Sequence, residues 1–122
     1  MLDEATTEVL KHHWSEGWNQ GDLDVIMAPF ADDVLFSSPF VERSTGDPKK
    51  TSIEGKAALR TYVDESLRRT PGIRYRLEST FVGTDSIVLV HHCWLPDGSE
   101  KTGADSMRVD ARGRVVEWRC HY

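Results

Sequence analysis

The spacing of apolar residues changes period near the middle of the chain. In the first half it is helical. Leu10, Trp14 and Trp18 fall at i, i+4 and i+8 and so share one face of a first helix. Asn19-Gln20-Gly21 ends that helix, with Gly21 suited to a left-handed cap. Leu23, Ile26, Met27 and Phe30 mark a short second helix with Asp22 at its N-cap, and Pro29 stops or bends it near Ala28. Residues 34–38 read as a strand and residues 41–52 as a polar loop. Gly55 opens a third helix whose buried stripe is Leu59, Tyr62, Val63, Ser66 and Leu67, and Pro71-Gly72 ends it.

The second half is β. Residues 73–82, 86–95, 100–109 and 114–122 are rich in β-branched and aromatic side chains, with short turns between them. Helices followed by an antiparallel meander predict an α+β fold, with residues 1–122 as a single domain. Two-residue loops at Thr84-Asp85, Asp97-Gly98 and Arg112-Gly113 set a register. They pair Ser79 with Val90, Val90 with Asp105, Asp105 with Cys120 and Met107 with Trp118, and paired residues share a face.

One face then carries Tyr75, Leu77, Ser79, Phe81, Val88, Val90, His92, Trp94, Asp105, Met107, Trp118, Cys120 and Tyr122. The other is mostly charged, with Arg108 and Arg119, and also holds His91, Ile87, Leu89 and Cys93. A three-residue loop at any turn flips every side chain beyond it. A looser second hairpin brings His91 to Asp105 in place of His92. A carboxylate on an apolar face is costly unless paired or neutral, which makes Asp105 the sharpest signal in the chain.

Composition narrows the classes. The net charge of -5 and pI near 5.5 argue against nucleic-acid binding, because Lys49-Lys50 and Arg68-Arg69 are the only short basic clusters. Two cysteines outside any CxxC pattern are too few for a disulfide or metal scaffold and read as small core residues. No apolar run matches a signal peptide or the roughly 18 residues of a membrane span, so a soluble cytoplasmic protein with no membrane partner is expected.

Three pieces, GWNQGDLDVIMAPFADDV, EGKAAL and MRVDARGRVVEWR, carry a family resemblance over essentially the whole chain. It resembles the SnoaL-like and ketosteroid-isomerase-like superfamily, also called nuclear transport factor 2-like. The resemblance implies a cone-shaped curved antiparallel sheet wrapped round three helices from the N-terminal half, with an apolar pocket and often a homodimer. In the ketosteroid isomerases the base stands just before the strand-one proline, which here is Ser38. Their oxyanion tyrosine falls on Trp14, and their second oxyanion donor on Asp105. One match in three argues against steroid isomerisation. In the polyketide cyclases of this fold an aspartate at the Asp105 position works with a histidine on the preceding strand. The Asp-Arg-Asp set of the fold's epoxide hydrolases fits less well, since Arg108 and Arg119 fall on the outer face.

The resemblance and the face assignment together nominate Asp105 as acid/base assisted by His92. Trp14 N–H and Ser38 are polar contacts to a substrate oxygen, and Phe36, Tyr62, Val90, Met107 and Trp118 complete the substrate wall. Trp18 and Trp94 are assigned to the core, His12 and His13 to the surface. No cofactor and no metal are expected, since His12, His13 and His121 lack a recognisable ligand spacing. The ligand is expected to be apolar or cyclic, the reaction an isomerisation, cyclisation or hydro-lyase step. Ile87, Leu89 and Cys93 on an otherwise charged face point to a homodimer contact. The other readings are a non-catalytic binder and a dimeric interaction module.

Overall fold

In a computed structural model, residues 1–42 and 46–122 are described. Helix α1 (Glu4–His12) starts where the Asp3 carboxylate accepts from the Thr6 N–H at 2.7 Å. It then widens into one π-helical segment, His13–Trp18, where the Asn19 N–H bonds the Trp14 carbonyl five residues back. That spacing sets His13 beside Trp18, and the Trp18 Nε1–H donates to His13 Nε2 at 2.9 Å. His13 is therefore buried among rings, contrary to the surface position expected for it, while His12 is on the surface as expected. Gly17 lets the next helix approach closely, since a Cβ there would lie 2.8 Å from Ile26 Cγ1.

Helix α2 (Leu23–Met27) has the expected Asp22 cap, whose carboxylate accepts from the Val25 N–H at 3.2 Å. Strand β1 (Phe30–Ser37) begins earlier than expected, so Phe30 belongs to the sheet and not to the helix. A short strand β2 (Ser52–Glu54) follows the segment read as a loop, of which residues 43–45 lie outside the described residues. Helix α3 (Lys56–Arg69) opens at Gly55, whose φ of +90° suits glycine alone. Strands β3 (Arg74–Val82), β4 (Ser86–Trp94), β5 (Glu100–Val109) and β6 (Val115–His121) complete the chain.

The strands form one curved, unclosed sheet in the order β2-β1-β6-β5-β4-β3. It is antiparallel except where β1 runs parallel to β6. The helices fill its concave side, as expected of an α+β cone. Leu10, Ile26, Leu59 and Val63 meet Ile87, Leu89, Met107 and Trp118 there in one core.

The turns decide the faces, and one departs from expectation with large consequences. The β4–β5 loop has three residues, Pro96-Asp97-Gly98, with the Leu95 N–H bonded to the Ser99 carbonyl at 2.9 Å. A two-residue loop would need Pro96 to flank the ladder, and proline has no N–H to give it. Gly98 takes φ +86°, as the three-residue hairpin requires. Leu89, not Val90, thus pairs with Asp105. Ile87, Leu89, His91 and Cys93 turn to the core, while Val88, Val90, His92 and Trp94 turn outward.

The other registers hold by compensation. The last turn also has three residues, but a bulge between Arg108 and Val109 restores Asp105 opposite Cys120 and Met107 opposite Trp118. The first turn has two, as expected. A bulge at Glu78 then keeps Tyr75 and Leu77 on the core side but sends Ser79 and Phe81 out.

Candidate functional site

Between the helices and the open end of the sheet lies a pocket of about 470 Å³, within the range of small-molecule sites. Its walls are aromatic. The π-helical segment supplies Trp14 and Trp18, whose rings stack 5.5 Å apart. Strand β1 supplies Phe36, β6 supplies Trp118 4.5 Å from it, and α3 supplies Tyr62 5.1 Å from it. Tyr75, Phe40 and Tyr122 add three more rings.

Polar groups are few. Ser38 is buried where β1 ends, and its hydroxyl accepts from the Phe40 N–H at 3.2 Å, so it makes the turn as well as facing the pocket. Trp14 Nε1 and Trp118 Nε1 are buried with no hydrogen-bond acceptor among the described residues. Both rings are pocket walls, while the N–H groups themselves are buried. Burial raises the Tyr62 hydroxyl above its ordinary range, with Ser38 opposing the shift. Burial also drives the Tyr75 and Tyr122 hydroxyls and the Cys120 thiol well upward, with the Asp105 charge adding to each. All four are neutral donors at ordinary pH.

Asp105 lies directly behind this wall. It is fully buried, and so is His91, whose Nε2 stands 3.4 Å from Asp105 Oδ2. That is ion-pair range without the alignment of a hydrogen bond, and neither group has any other well-formed partner among the described residues. The pair is walled in. The His91 ring packs on Trp14 at 4.5 Å and on Tyr75 at 5.4 Å, and the Cys120 thiol lies beside Asp105. Gly103, opposite His91 on β5, leaves the space in which the Tyr122 ring sits. A Cβ there would lie 2.5 Å from that ring and 3.2 Å from His91 Cε1.

A family model described as a SnoaL-like domain matches residues 12–118. The chain belongs to the SnoaL-like family. No curated protein matches it. A SnoaL-like protein of unknown function from Burkholderia thailandensis is similar in structure, with a TM-score of 0.82, 26% identity, and 100% of this chain and 98% of that one covered. An NTF2-like protein of unknown function from Mesorhizobium loti has a TM-score of 0.75 at 24% identity, over 99% and 95%. The epoxide hydrolase/cyclase-like enzyme SalBIII, which acts in pyran ring formation in the polyether salinomycin, also has a TM-score of 0.75, at 16% identity over 97% and 90%.

Among the expected residues of this SnoaL-like chain, Trp14, Phe36, Ser38, Tyr62 and Trp118 line the pocket. Asp105 is behind its wall, and Met107 is core, paired with Ile87 and Trp118. His92 and Val90 are on the outer face, a correction that follows from the three-residue loop. There His92 Nε2 is 3.0 Å from Glu100 Oε1 and Nδ1 is 3.3 Å from the Thr102 hydroxyl. Trp94, assigned to the core, lies half-buried on that face under the Arg76 guanidinium, while Trp18 is both core and pocket wall.

His91 is the residue that sequence reasoning displaced, and Pro96 was the signal that could have placed it. Tyr75, Cys120 and Tyr122 were on the expected face but were not nominated. Among the described residues no three His, Cys, Asp or Glu side chains converge as metal ligands. Among those same residues, no helix is long and apolar enough to cross a membrane.

Proposed function

We propose that this SnoaL-like protein is an acid/base enzyme acting on a cyclic small molecule, by isomerisation, cyclisation or a hydro-lyase step. Asp105 exchanges a proton with the substrate. His91, at 3.4 Å, balances its charge. The observation that carries this reading is the buried pair itself. A carboxylate and an imidazole without other good partners are expensive to bury, and they lie against an aromatic pocket. The buried Trp14 and Trp118 N–H groups have no acceptor among the described residues, and a substrate oxygen on which charge develops would supply one if the rings shift on binding. Tyr122, half-exposed, is the ring whose movement opens the pair to the pocket.

The test is exchange of carbon-bound hydrogen into deuterated water from enolisable cyclic ketones, followed by NMR. Asp105→Asn should slow exchange at least about a hundredfold, the lower bound for a positioned acid/base, with the circular dichroism spectrum unchanged. Retained exchange in a folded variant sinks the mechanism.

One observation favours a second reading, a non-catalytic binder. Asp105 does not itself line the pocket, and Ser38 holds the place of the isomerase base. Tight ligand binding indifferent to Asp105→Asn, with no exchange, supports it. The interaction-module reading is weakened by the open pocket.

We also propose self-association through the outer face of the sheet, on a different basis from the one the sequence suggested. Ile87, Leu89 and Cys93 are core, but Phe81 is 62% exposed on that face, with Val88 opposite it and Val90 next along, both half-buried. Sedimentation should find a dimer that Phe81→Glu dissociates. A monomer at high concentration rules it out.

A further inference from the structure

We propose that Trp14 and Tyr75 form the end wall that limits how long a ligand the pocket takes, and that Asn19 holds this wall in place. This rests on the small-molecule reading of the pocket and adds its specificity-determining residues. The pocket of about 470 Å³ is not closed by thick protein at this end. A second cleft of about 240 Å³ lies between the first helix and strand β3, lined by Glu8, Lys11 and Ser15 on the helical side and by Leu77 on the strand. Among the described residues, Trp14 and Tyr75 are the only two that line both cavities. The two rings therefore stand between them.

The wall is closely built. Its ring centroids are 4.7 Å apart, and Trp14 is buried and backed by the stacked Trp18 ring at 5.5 Å. Both rings also pack on His91, Trp14 at 4.5 Å and Tyr75 at 5.4 Å. A ligand that stops against them stops at the rings that cover the His91–Asp105 pair. The wall thus sets which end of a ligand meets the pair as well as its length.

Asn19 ties the two halves of the wall together. Strand β3 is last in the sheet, so no strand lies along its outer backbone edge. Asn19 ends the π-helical segment that carries Trp14, and its side-chain amide occupies that edge. The Tyr75 N–H donates to Asn19 Oδ1 at 2.6 Å, and Asn19 Nδ2–H donates to the Tyr75 carbonyl at 2.9 Å. Only a side chain with an acceptor and a donor side by side makes both bonds. The clamp joins the segment bearing one ring to the residue bearing the other. Asn19→Asp keeps the shape but sets an acceptor against the Tyr75 carbonyl.

The probes are 2-naphthol and 6-phenyl-2-naphthol, which differ by one ring along the long axis, with binding read by calorimetry. The wild-type chain should bind the long probe no tighter than the short one. Tyr75→Ala joins the two cavities. It should tighten the long probe at least about tenfold while the short probe gains nothing, because withdrawing a phenyl group from water is worth that much or more. Adding Ser15→Phe fills the cleft from its far side and should cancel the gain. Asn19→Asp, which leaves both rings in the chain, should give a smaller gain of the same kind. Should Tyr75→Ala fail to fold, Tyr75→Val, which suits a strand, reads the same gain. A wild-type chain that already prefers the long probe overturns the inference and leaves the pocket reading intact. So does an equal change of both probes in Tyr75→Ala, or a gain that survives Ser15→Phe. A long probe that gains nothing in Asn19→Asp overturns the role of Asn19. Binding of neither probe by any of these chains overturns the pocket reading and this inference together.

Discussion

His91 and His92 are neighbours in one strand, and each faces a carboxylate from β5. The outer pair, His92 with Glu100, has the shorter contact, 3.0 Å against 3.4 Å for His91 with Asp105. Solvent reverses that ranking. The outer side chains are 23% and 56% exposed, the inner ones 0% and 0%. Water and salt screen the outer pair and can replace either partner when the other is lost. The inner pair has had its hydration removed, and each group has little besides the other to replace it. Distance alone would choose the wrong pair as the one that matters.

The largest test breaks each pair. Asp105→Ala leaves His91 buried without its acid and should cost about 3–5 kcal/mol in urea denaturation. Replacing both inner groups with apolar ones, Asp105→Leu with His91→Met, should recover most of that loss or more, because two desolvation costs vanish together. The same substitutions at Glu100 and His92 should leave the unfolding midpoint where it was. A double inner variant that is as unstable as the single would mean that the pair stabilises the fold, and would weaken the case that it is kept for chemistry.

His13 separates burial from the acid. It is as buried as His91, but its ring partner is a Trp18 N–H and not a carboxylate. Burial pulls its pKa from 6.5 down to about 3, with the Ile26 backbone opposing. The folded chain therefore refuses a proton that the unfolded chain accepts below pH 6.5. Its contribution is complete above that pH and is lost as the pH falls toward 3, at up to about 1.4 kcal/mol per unit. His13→Gln should flatten the acid limb between pH 6 and 4. An unchanged limb would show that His13 does not titrate with folding.

The same stretch shows where sequence was enough. Helix positions, caps and the core-facing side of β6 followed from period and turn chemistry, because Leu10, Asp22, Gly55 and the β6 alternation each answer to local rules. Partners set by distant backbone were not legible. The parallel β1–β6 pairing, the π-helical widening that buries His13, and the bulges at Glu78 and Val116 all depend on what the chain meets in space. The exchange of His91 for His92 is intermediate. Pro96 held the information, but only when asked for the hydrogen bond it cannot give.

A smaller test loosens the inner pair without touching it. Gly103→Ala places a Cβ where the Tyr122 ring sits, 2.5 Å from two of its carbons. Tyr122 is half-exposed and can swing away, so the cost should fall at the low end of overpacking, about 1 kcal/mol. The informative readout is deuterium exchange at His91 Cε1, which should accelerate toward the rate at His92. Unchanged exchange would mean that Tyr122 does not shield the pair.

The smallest effect belongs to the outer pair itself. The hydrogen bond from His92 holds the Glu100 carboxyl below its ordinary range, with Trp94 helping. A lowered carboxyl pKa contributes stability above the unfolded value, and that contribution disappears as the pH falls through the folded one. At this exposure it should be too small to move a melting curve, so the carboxyl signal itself must be followed by NMR. In His92→Ala the Glu100 titration should return upward to the ordinary carboxylate range, and in high salt it should move part of the way. If salt leaves it untouched, the outer pair is shielded by something lying over that face of the sheet. The contrast with His91 would then be one of degree, and a partner on the outer face the first thing to look for.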